Sequence, residues 1–328
     1  MSYNPALLRA LAAGKPVSGT ALGRRLGISR TAVWKGIHRL GALGLEVAAQ
    51  PGRGYRLAAP LELLDPARIR AALPSAVAAG LGRLEVVDTI ASTNTRVLEA
   101  DRPVGELVAC LAEYQSAGRG RRGRRWLAAP GQSICLSVGG RLAVAPADCA
   151  GLAPWAGLAC AEALAAAGAG GVALKWPNDL LLDDGKLGGI LIELRGEAQG
   201  PVTVAVGVGV NLRLAEQARA DILATGGLAP AALGDAVPGV GRNTLAAGLL
   251  AALADTLSRL PLESGEALPD AWAPRDALRG RTVRIDGAGQ PLAGIARGVD
   301  AAGALLLETG DGQLHRVTAG EASLRPAS

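Results

Sequence analysis

A chain of 328 residues with no Phe, three Tyr and five Trp cannot fill its core with aromatic rings. The core must come from Leu, Val, Ile and Ala, with the tryptophans as isolated bulky pieces. At about 100–200 residues per domain, the length predicts two or three domains. Histidine is equally restrictive, because His38 and His315 are the only two and lie near opposite ends. A Ser-His or Cys-His nucleophile pair needs an imidazole beside it. A catalytic zinc site usually needs one or more as ligands. The long middle of the chain can build neither unaided, which argues against hydrolase triads and zinc enzymes.

The charge-free run from Cys149 to Ala161 in the apolar middle has 13 residues and contains Pro154. A membrane span needs roughly 20, so no membrane partner is expected. The start, MSYNPALLRA, lacks a basic residue followed by an apolar stretch, and no secretory signal is indicated. Cys110, Cys135, Cys149 and Cys160 show no Cys-x-x-Cys spacing, which predicts buried free thiols in a reducing cytoplasm. Net charge is +5, yet residues 1–64 hold nine Lys or Arg against Glu46 and Glu62. That balance of +7 leaves −2 for the remainder and points to a polyanion partner for the first segment.

Pattern divides the chain in three. Pro5–Ala13, Gly19–Leu26 and Ser29–Leu43 read as helices, with Ser18 and Ser29 as caps and Gly27 supplying a left-handed turn residue. Leu22, Leu26, Ile28, Val33, Ile37 and Leu40 would lock the second helix to the third. Val47–Ala48 and Tyr55–Leu57 flank Pro51-Gly52-Arg53-Gly54, so the segment reads as a winged helix–turn–helix. A small protein-interaction domain is the blander reading. Arg30, Thr31, Lys35 and Arg39 on the third helix, with Arg53 and Arg56 on the wing, favour DNA. Leu61 to Pro74 reads as a connection. Strands are expected at Leu84–Val87, Leu107–Glu113, Ser133–Gly139, Val172–Trp176, Leu187–Leu194 and Val202–Val210. Helices are expected at Ser92–Ala100, Pro146–Ala167 and Thr244–Leu260. Short connections favour an antiparallel or mixed sheet. From about Arg279, brief strands split by Gly and Asp-Gly turns predict a small β-barrel.

The sharpest motif is Gln115 to Trp126, in which five arginines fall within seven residues. Its glycines satisfy a dinucleotide-binding pattern, but Pro130 and Gly131 follow where a helix should begin. The arginines suit bidentate gathering around phosphate or carboxylate; a solvated basic loop or nucleic-acid patch fits the segment equally well. Lys175-Trp176-Pro177-Asn178-Asp179 displays an amide and a carboxylate at a turn. Gly185-Lys186-Leu187-Gly188-Gly189 sets a lysine beside glycines, although Leu187 excludes a Walker loop. Either one alone also reads as an ordinary turn. In Gly207-Val208-Gly209-Val210-Asn211 the glycines suit close approach of another backbone. Ser92-Thr93-Asn94 reads as a helix cap or as polar partners for a ligand ring. Together these residues offer charge neutralisation and alignment without an activated nucleophile, as carboxylate attack on a nucleotide phosphate requires.

These motifs, with Arg242-Asn-Thr-Leu-Ala and Gly303-Ala-Leu-Leu-Leu-Glu, resemble the bifunctional biotin–protein ligases that double as biotin operon repressors. The resemblance implies an α+β multidomain chain. Residues 1–64 would be the winged helix–turn–helix, 65–275 a mixed-sheet α/β ligase domain and 276–328 an SH3-like β-barrel. It implies biotinyl-5′-AMP formation from biotin and ATP with Mg2+, then transfer to a lysine of a biotin carboxyl carrier protein. Ser92, Thr93, Asn94, Gln115, Arg119, Gly120, Arg121, Lys186 and Gly189 would hold biotin. Arg119, Arg121, Trp126, Lys175, Asn178 and Asn211 would hold ATP and the adenylate, with Asp179 serving the nucleotide and its magnesium. Lys186, Arg121 and Asp179 would be catalytic. No dedicated metal-ligand set is implied. Operator DNA and a possible homodimer complete the expected partners. A biotin-sensing transcription factor without ligase activity and a lipoate-type acyl ligase are the alternatives. The resembled repressors pack an aromatic side chain on adenine from the segment after the Gly-x-Gly-x-Asn strand; residues 212–239 contain none.

Overall fold

The computed structural model describes residues 3–197, 199–224, 228–260, 265–286, 291–318 and 320–324. Its first three helices start where a side-chain oxygen can accept a first-turn N–H. Asn4 caps α1 (Pro5–Leu11), Ser18 caps α2 (Gly19–Leu26) and Ser29 caps α3 (Arg30–Ala42). Gly27 adopts φ 65° between α2 and α3, the left-handed conformation a glycine tolerates. Leu22, Val33, Ile37 and Leu40 are buried together with Leu7, Leu8 and Leu11, while Leu26 and Ile28 pack at the edge. Strands β1 (Val47–Gln50) and β2 (Gly54–Leu57) pair antiparallel as the wing.

The stretch expected to be a plain connection contains α4 (Pro66–Ala72), capped by Asp65 with Pro66 in its first turn, and α5 (Ser75–Gly80) follows. Next come β3 (Leu81–Val87), α6 (Thr93–Leu98), β4 (Leu107–Ala112), β5 (Ser133–Leu142) and α7 (Leu152–Ala166). The single helix expected over Pro146–Ala167 is broken. A 3₁₀ turn at Pro146–Cys149 ends before Gly151, which takes φ 77° and starts α7 afresh. By length and composition the stretch from Pro146 to Ala166 is apolar enough to cross a membrane. Leu152, Leu158, Cys160 and Leu164 are nevertheless buried in the main core, as befits a core helix.

Strands β6 (Ala173–Lys175), β7 (Asp179–Leu182), β8 (Gly185–Arg195) and β9 (Val202–Asn211) complete a seven-stranded sheet of order β3-β4-β5-β9-β8-β7-β6. Only β3–β4 is parallel, so the sheet is mixed and largely antiparallel, within what the short connections favoured. Helices α8 (Glu216–Ala224), α9 (Leu233–Ala236), α10 (Arg242–Ser258) and α11 (Leu268–Trp272) follow. One sheet face buries Leu136, Val138, Val204, Val206 and Ile190 in the main core with α7 and α10. On the other, Val97 and Leu98 of α6 pack on Val108, Cys110 and Ala205.

The last segment is a five-stranded antiparallel sheet of β10 (Thr282–Asp286), β11 (Leu292–Val299), β12 (Leu305–Glu308), β13 (Leu314–Val317) and β14 (Glu321–Leu324), in the order β13-β12-β11-β10-β14. All four cysteines are free and buried. Burial pushes the thiols of Cys110 and Cys160 up to about 12 and that of Cys135 to about 11.

Candidate functional site

Alternation along β9 creates the site. Val202, Val204, Val206, Val208 and Val210 enter the main core, so Ala205, Gly207, Gly209 and Asn211 face the other way. Over that face lies a cavity of about 430 Å³, a volume typical of small-molecule sites. Its floor must be small. A Cβ at Gly207 would stand 2.2 Å from Asn94 Oδ1, and one at Gly209 would stand 2.7 Å from the Trp126 ring. The close approach expected at these two glycines therefore comes from side chains, not from another backbone.

One end of the cavity is a polar network. Ser92 caps α6, and Ser92, Thr93 and Asn94 are all buried. Thr93 N donates to Gln115 Oε1 at 2.8 Å, and Thr93 Oγ1 lies 3.1 Å from the same oxygen. The Ser137 hydroxyl, 2.7 Å from Thr93 Oγ1, donates to Asn94 Oδ1 at 2.6 Å. Asn94 Nδ2 in turn donates to Leu191 O at 3.1 Å and Glu193 Oε2 at 2.8 Å. Arg119 Nη2 reaches Thr95 Oγ1 at 2.9 Å and Glu193 Oε1 at 3.3 Å. A connected network of this kind holds each group in one orientation.

The other end is cationic. Between β6 and β7 the chain turns through a cis Trp176–Pro177 bond, and Asn178 Nδ2 fastens the turn to Ile190 O at 2.6 Å. Asp179 then lies between two ammonium groups, with Lys186 Nζ 2.5 Å from Oδ1 and Lys175 Nζ 3.6 Å from Oδ2. Lys175 is buried, whereas the Lys186 side chain stays 34% exposed. A Cβ at Gly189 would sit 3.7 Å from Lys186 Cε, so the glycine leaves room beside the ammonium stem. Asn211 Nδ2 donates to Ala231 O at 3.2 Å, but Asn211 Oδ1 is buried with no hydrogen-bond partner among the described residues.

The arginine segment joins the two ends and is a tight hairpin rather than an open loop. Gly120 N donates to Arg124 O at 2.7 Å and Trp126 N to Gly118 O at 2.9 Å. The tip is a 3₁₀ turn, Arg121–Gly123, with Arg122 left-handed at φ 54°. Arg119, Gly120, Arg121 and Trp126 thereby enter the cavity wall, and every other residue expected to serve biotin, ATP or catalysis lines the same cavity. Arg30, Thr31, Lys35, Arg39 and Arg53 form a separate, exposed surface on α3 and the wing. Among the described residues no group of three His, Cys, Asp or Glu could hold a metal ion.

Sequence reasoning missed Ser137 and Glu193, whose partners are remote in the chain; a serine set between Leu136 and Val138 in a mostly apolar strand was the one local signal. It also missed the aliphatic wall made by Ile222, Leu228 and Pro230. Arg242 was noted only as part of a motif, yet it is buried and paired with Glu113.

A mixed sheet with a cationic cleft, set behind a winged helix–turn–helix, is the build of a DNA-binding group-transfer ligase. Comparison with known proteins agrees segment by segment. Residues 86–211 match the biotin/lipoate A/B protein ligase family, 6–56 an HTH domain and 279–325 the biotin protein ligase C-terminal domain. The bifunctional ligase/repressor BirA of Salmonella typhimurium is 40% identical over 98% of this chain and 97% of its own. The biotin–[acetyl-CoA-carboxylase] ligase of Mycobacterium tuberculosis is 36% identical over 75% of this chain and 91% of its own. The Aquifex aeolicus biotin protein ligase, solved with biotin and ATP, superposes with a TM-score of 0.59 at 25% identity, covering 75% of this chain and 99% of that one. The chain belongs to the bifunctional biotin ligase/repressor family.

Proposed function

We propose that this protein is an ATP-dependent biotin–[acetyl-CoA-carboxylase] ligase that also binds DNA as a repressor of biotin synthesis genes. In the first step a carboxylate oxygen of biotin attacks the α-phosphorus of ATP. The bond to the β-phosphate oxygen breaks, and pyrophosphate leaves with that electron pair. In the second step a lysine amine of a biotin carboxyl carrier protein attacks the acyl carbon, AMP departs, and the amine proton passes to solvent. The protein supplies no nucleophile in either step, in keeping with its two remote histidines.

Residue roles follow the geometry. Thr93, Asn94 and Gln115, positioned by Ser92 and Ser137, are assigned to the polar ring of biotin with Arg119 and Gly120, while Gly189 is assigned to biotin from beside Lys186. Lys186 is assigned to the biotin carboxylate and the α-phosphate, where its charge would offset their repulsion as charge builds in the transition state. Arg121 would do the same from the hairpin, and Asp179 holds the Lys186 ammonium in place at 2.5 Å. Lys175, Asn178, Asn211 and Trp126 are assigned to the nucleotide. Mg2+ would enter with ATP and keep several of its waters; the orphaned Asn211 Oδ1 is an oxygen acceptor suited to one of them.

The same reading takes residues 1–64, 65–275 and 276–328 as the domains, places the protein in the cytoplasm and includes a homodimer on its operator. It takes the C-terminal sheet as an SH3-like barrel; the register shift between Ala296 and Val299 in β11 supports strong local bending. The observation that carries the ligase reading is Lys186 at Asp179, inside the one cavity that also gathers the arginine hairpin and the polar end. The test is biotin-dependent pyrophosphate release from ATP without carrier protein. Wild type is expected to give a single-turnover burst, and Lys186→Ala to slow it about 10²–10³-fold. A wild type that binds biotin but gives no burst is a sensor without ligase activity. Competition by lipoate at equal concentration would instead mark an acyl ligase of broader substrate range.

A further inference from the structure

Trp34 contradicts the pattern of its own chain. In a sequence with five tryptophans and no Phe, it lies 51% exposed, on the helix that carries the basic residues of the first segment. Trp176 and Trp272, by contrast, are among the largest fully buried side chains. Val33, Ile37 and Leu40 make the buried stripe of α3. Thr31, Trp34, Lys35 and His38 stand at spacings of three, four and seven, so they share one exposed stripe away from it. The Trp34 and His38 rings lie 4.0 Å apart, centroid to centroid, at 60°. That contact restrains the indole in water and reduces what must be ordered on binding.

The partner this stripe fits is duplex DNA, because residues 1–64 carry +7 and the flanking Arg30 and Arg39 are exposed and basic. Phosphate contacts by Lys and Arg position a protein but carry little sequence information. Reading requires groups that meet base edges, and an apolar ring meets the thymine methyl group in the major groove. We propose that Trp34 is a sequence-reading residue of the DNA-binding surface, held in place by His38 and making apolar contact with a thymine-bearing base step. This rests on the repressor reading above and adds to it which side chain supplies specificity.

The test uses the full-length protein with biotin and ATP, and a library of random duplexes about 40 base pairs long. Selection with wild type gives an enriched sequence, and the unselected pool serves as the non-specific probe. Trp34→Ala is expected to reduce the ratio of specific to non-specific affinity about tenfold or more, as loss of one good base contact does. Its salt slope should stay unchanged, whereas Lys35→Ala should lower the slope by about one at a preserved ratio. Biotin-dependent pyrophosphate release in Trp34→Ala should match wild type, since α3 lines no part of the cavity. An unchanged specificity ratio in Trp34→Ala overturns the proposal. A change in sedimentation without any change in DNA preference also overturns it, and makes the stripe a protein contact. A wild type that enriches no sequence removes the repressor reading and this inference with it, while leaving the ligase reading intact.

Discussion

Gly207 carries the clearest prediction at the scale of a single residue. An added methyl group would lie 2.2 Å from Asn94 Oδ1, so Asn94 must leave its bonds to Ser137 and Leu191. Overpacking of this size costs about 1–3 kcal/mol. Gly207→Ala is therefore expected to weaken biotin binding about tenfold or more, with a modest fall in Tm; calorimetric titration with biotin and thermal unfolding would check it. Wild-type affinity in the variant would mean that Asn94 is not a biotin contact. Chemistry at this scale was partly legible in the sequence. Lys186, Asp179 and the arginines stood out as charges beside glycines and turns, but each motif alone also read as an ordinary turn or a solvated loop, and their roles came from the family resemblance. Ser137 did not stand out, because its partners Asn94 and Thr93 lie 43 and 44 residues away.

At the scale of elements, local signals succeeded wherever a cap or a period was present. Ser18, Ser29 and Ser92 each cap the helix expected of them. Removing such a cap costs about 1 kcal/mol. Ser29→Ala is expected to lower DNA affinity several-fold by fraying the first turn of α3, while pyrophosphate release is unchanged; parallel DNA titration and burst assays would show both. Equal losses in the two assays would mean that the cap supports the whole fold. Misreadings came where the signal was short or the period persisted across a break. Strand β7 has four residues inside a hairpin, too few to show alternation. The apolar run from Pro146 hid the restart at Gly151, and α4 needed only the Asp65-Pro66 pair to be seen. The arginine segment reads as a loop by composition, yet backbone bonds between Gly118 and Trp126 and between Gly120 and Arg124 fold it into a hairpin.

Across the whole molecule, the segment joining the winged helix to the ligase sheet is clamped by charge. Buried Arg242, at the start of α10, pairs with the carboxylate of Glu113 at the end of β4 and donates to Ser133 O at 2.9 Å. Glu113 Oε1 also accepts Leu64 N at 2.5 Å, and Glu62 accepts from Asn243 Nδ2 at 2.8 Å. Tyr114, next in sequence, packs edge-on against Tyr3 at 6.1 Å, and Gln115 reaches into the cavity. Three consecutive residues thus touch the linker clamp, the first domain and the ligand site. Removing one partner of a buried pair leaves the other charge uncompensated, which costs about 3–5 kcal/mol. Arg242→Met is expected to lower the urea midpoint by an amount of that order, and adding Glu113→Leu to recover part of it. A single variant as stable as wild type would show that water compensates Glu113.

Sequence alone argued against hydrolase triads and zinc sites, located the cations along the chain and marked which short motifs could meet anions. Those properties depend on residue type, spacing and period, all of them local. Tertiary structure alone decided that the motifs from 92 to 211 converge on one cavity, that Gly207 and Gly209 are small for the sake of Asn94 and Trp126, and that Arg242 is a clamp. Each of these depends on strand order and on which face of β9 is covered. Such contacts between residues far apart in the chain are formed when the sheet closes, so no local pattern encodes them.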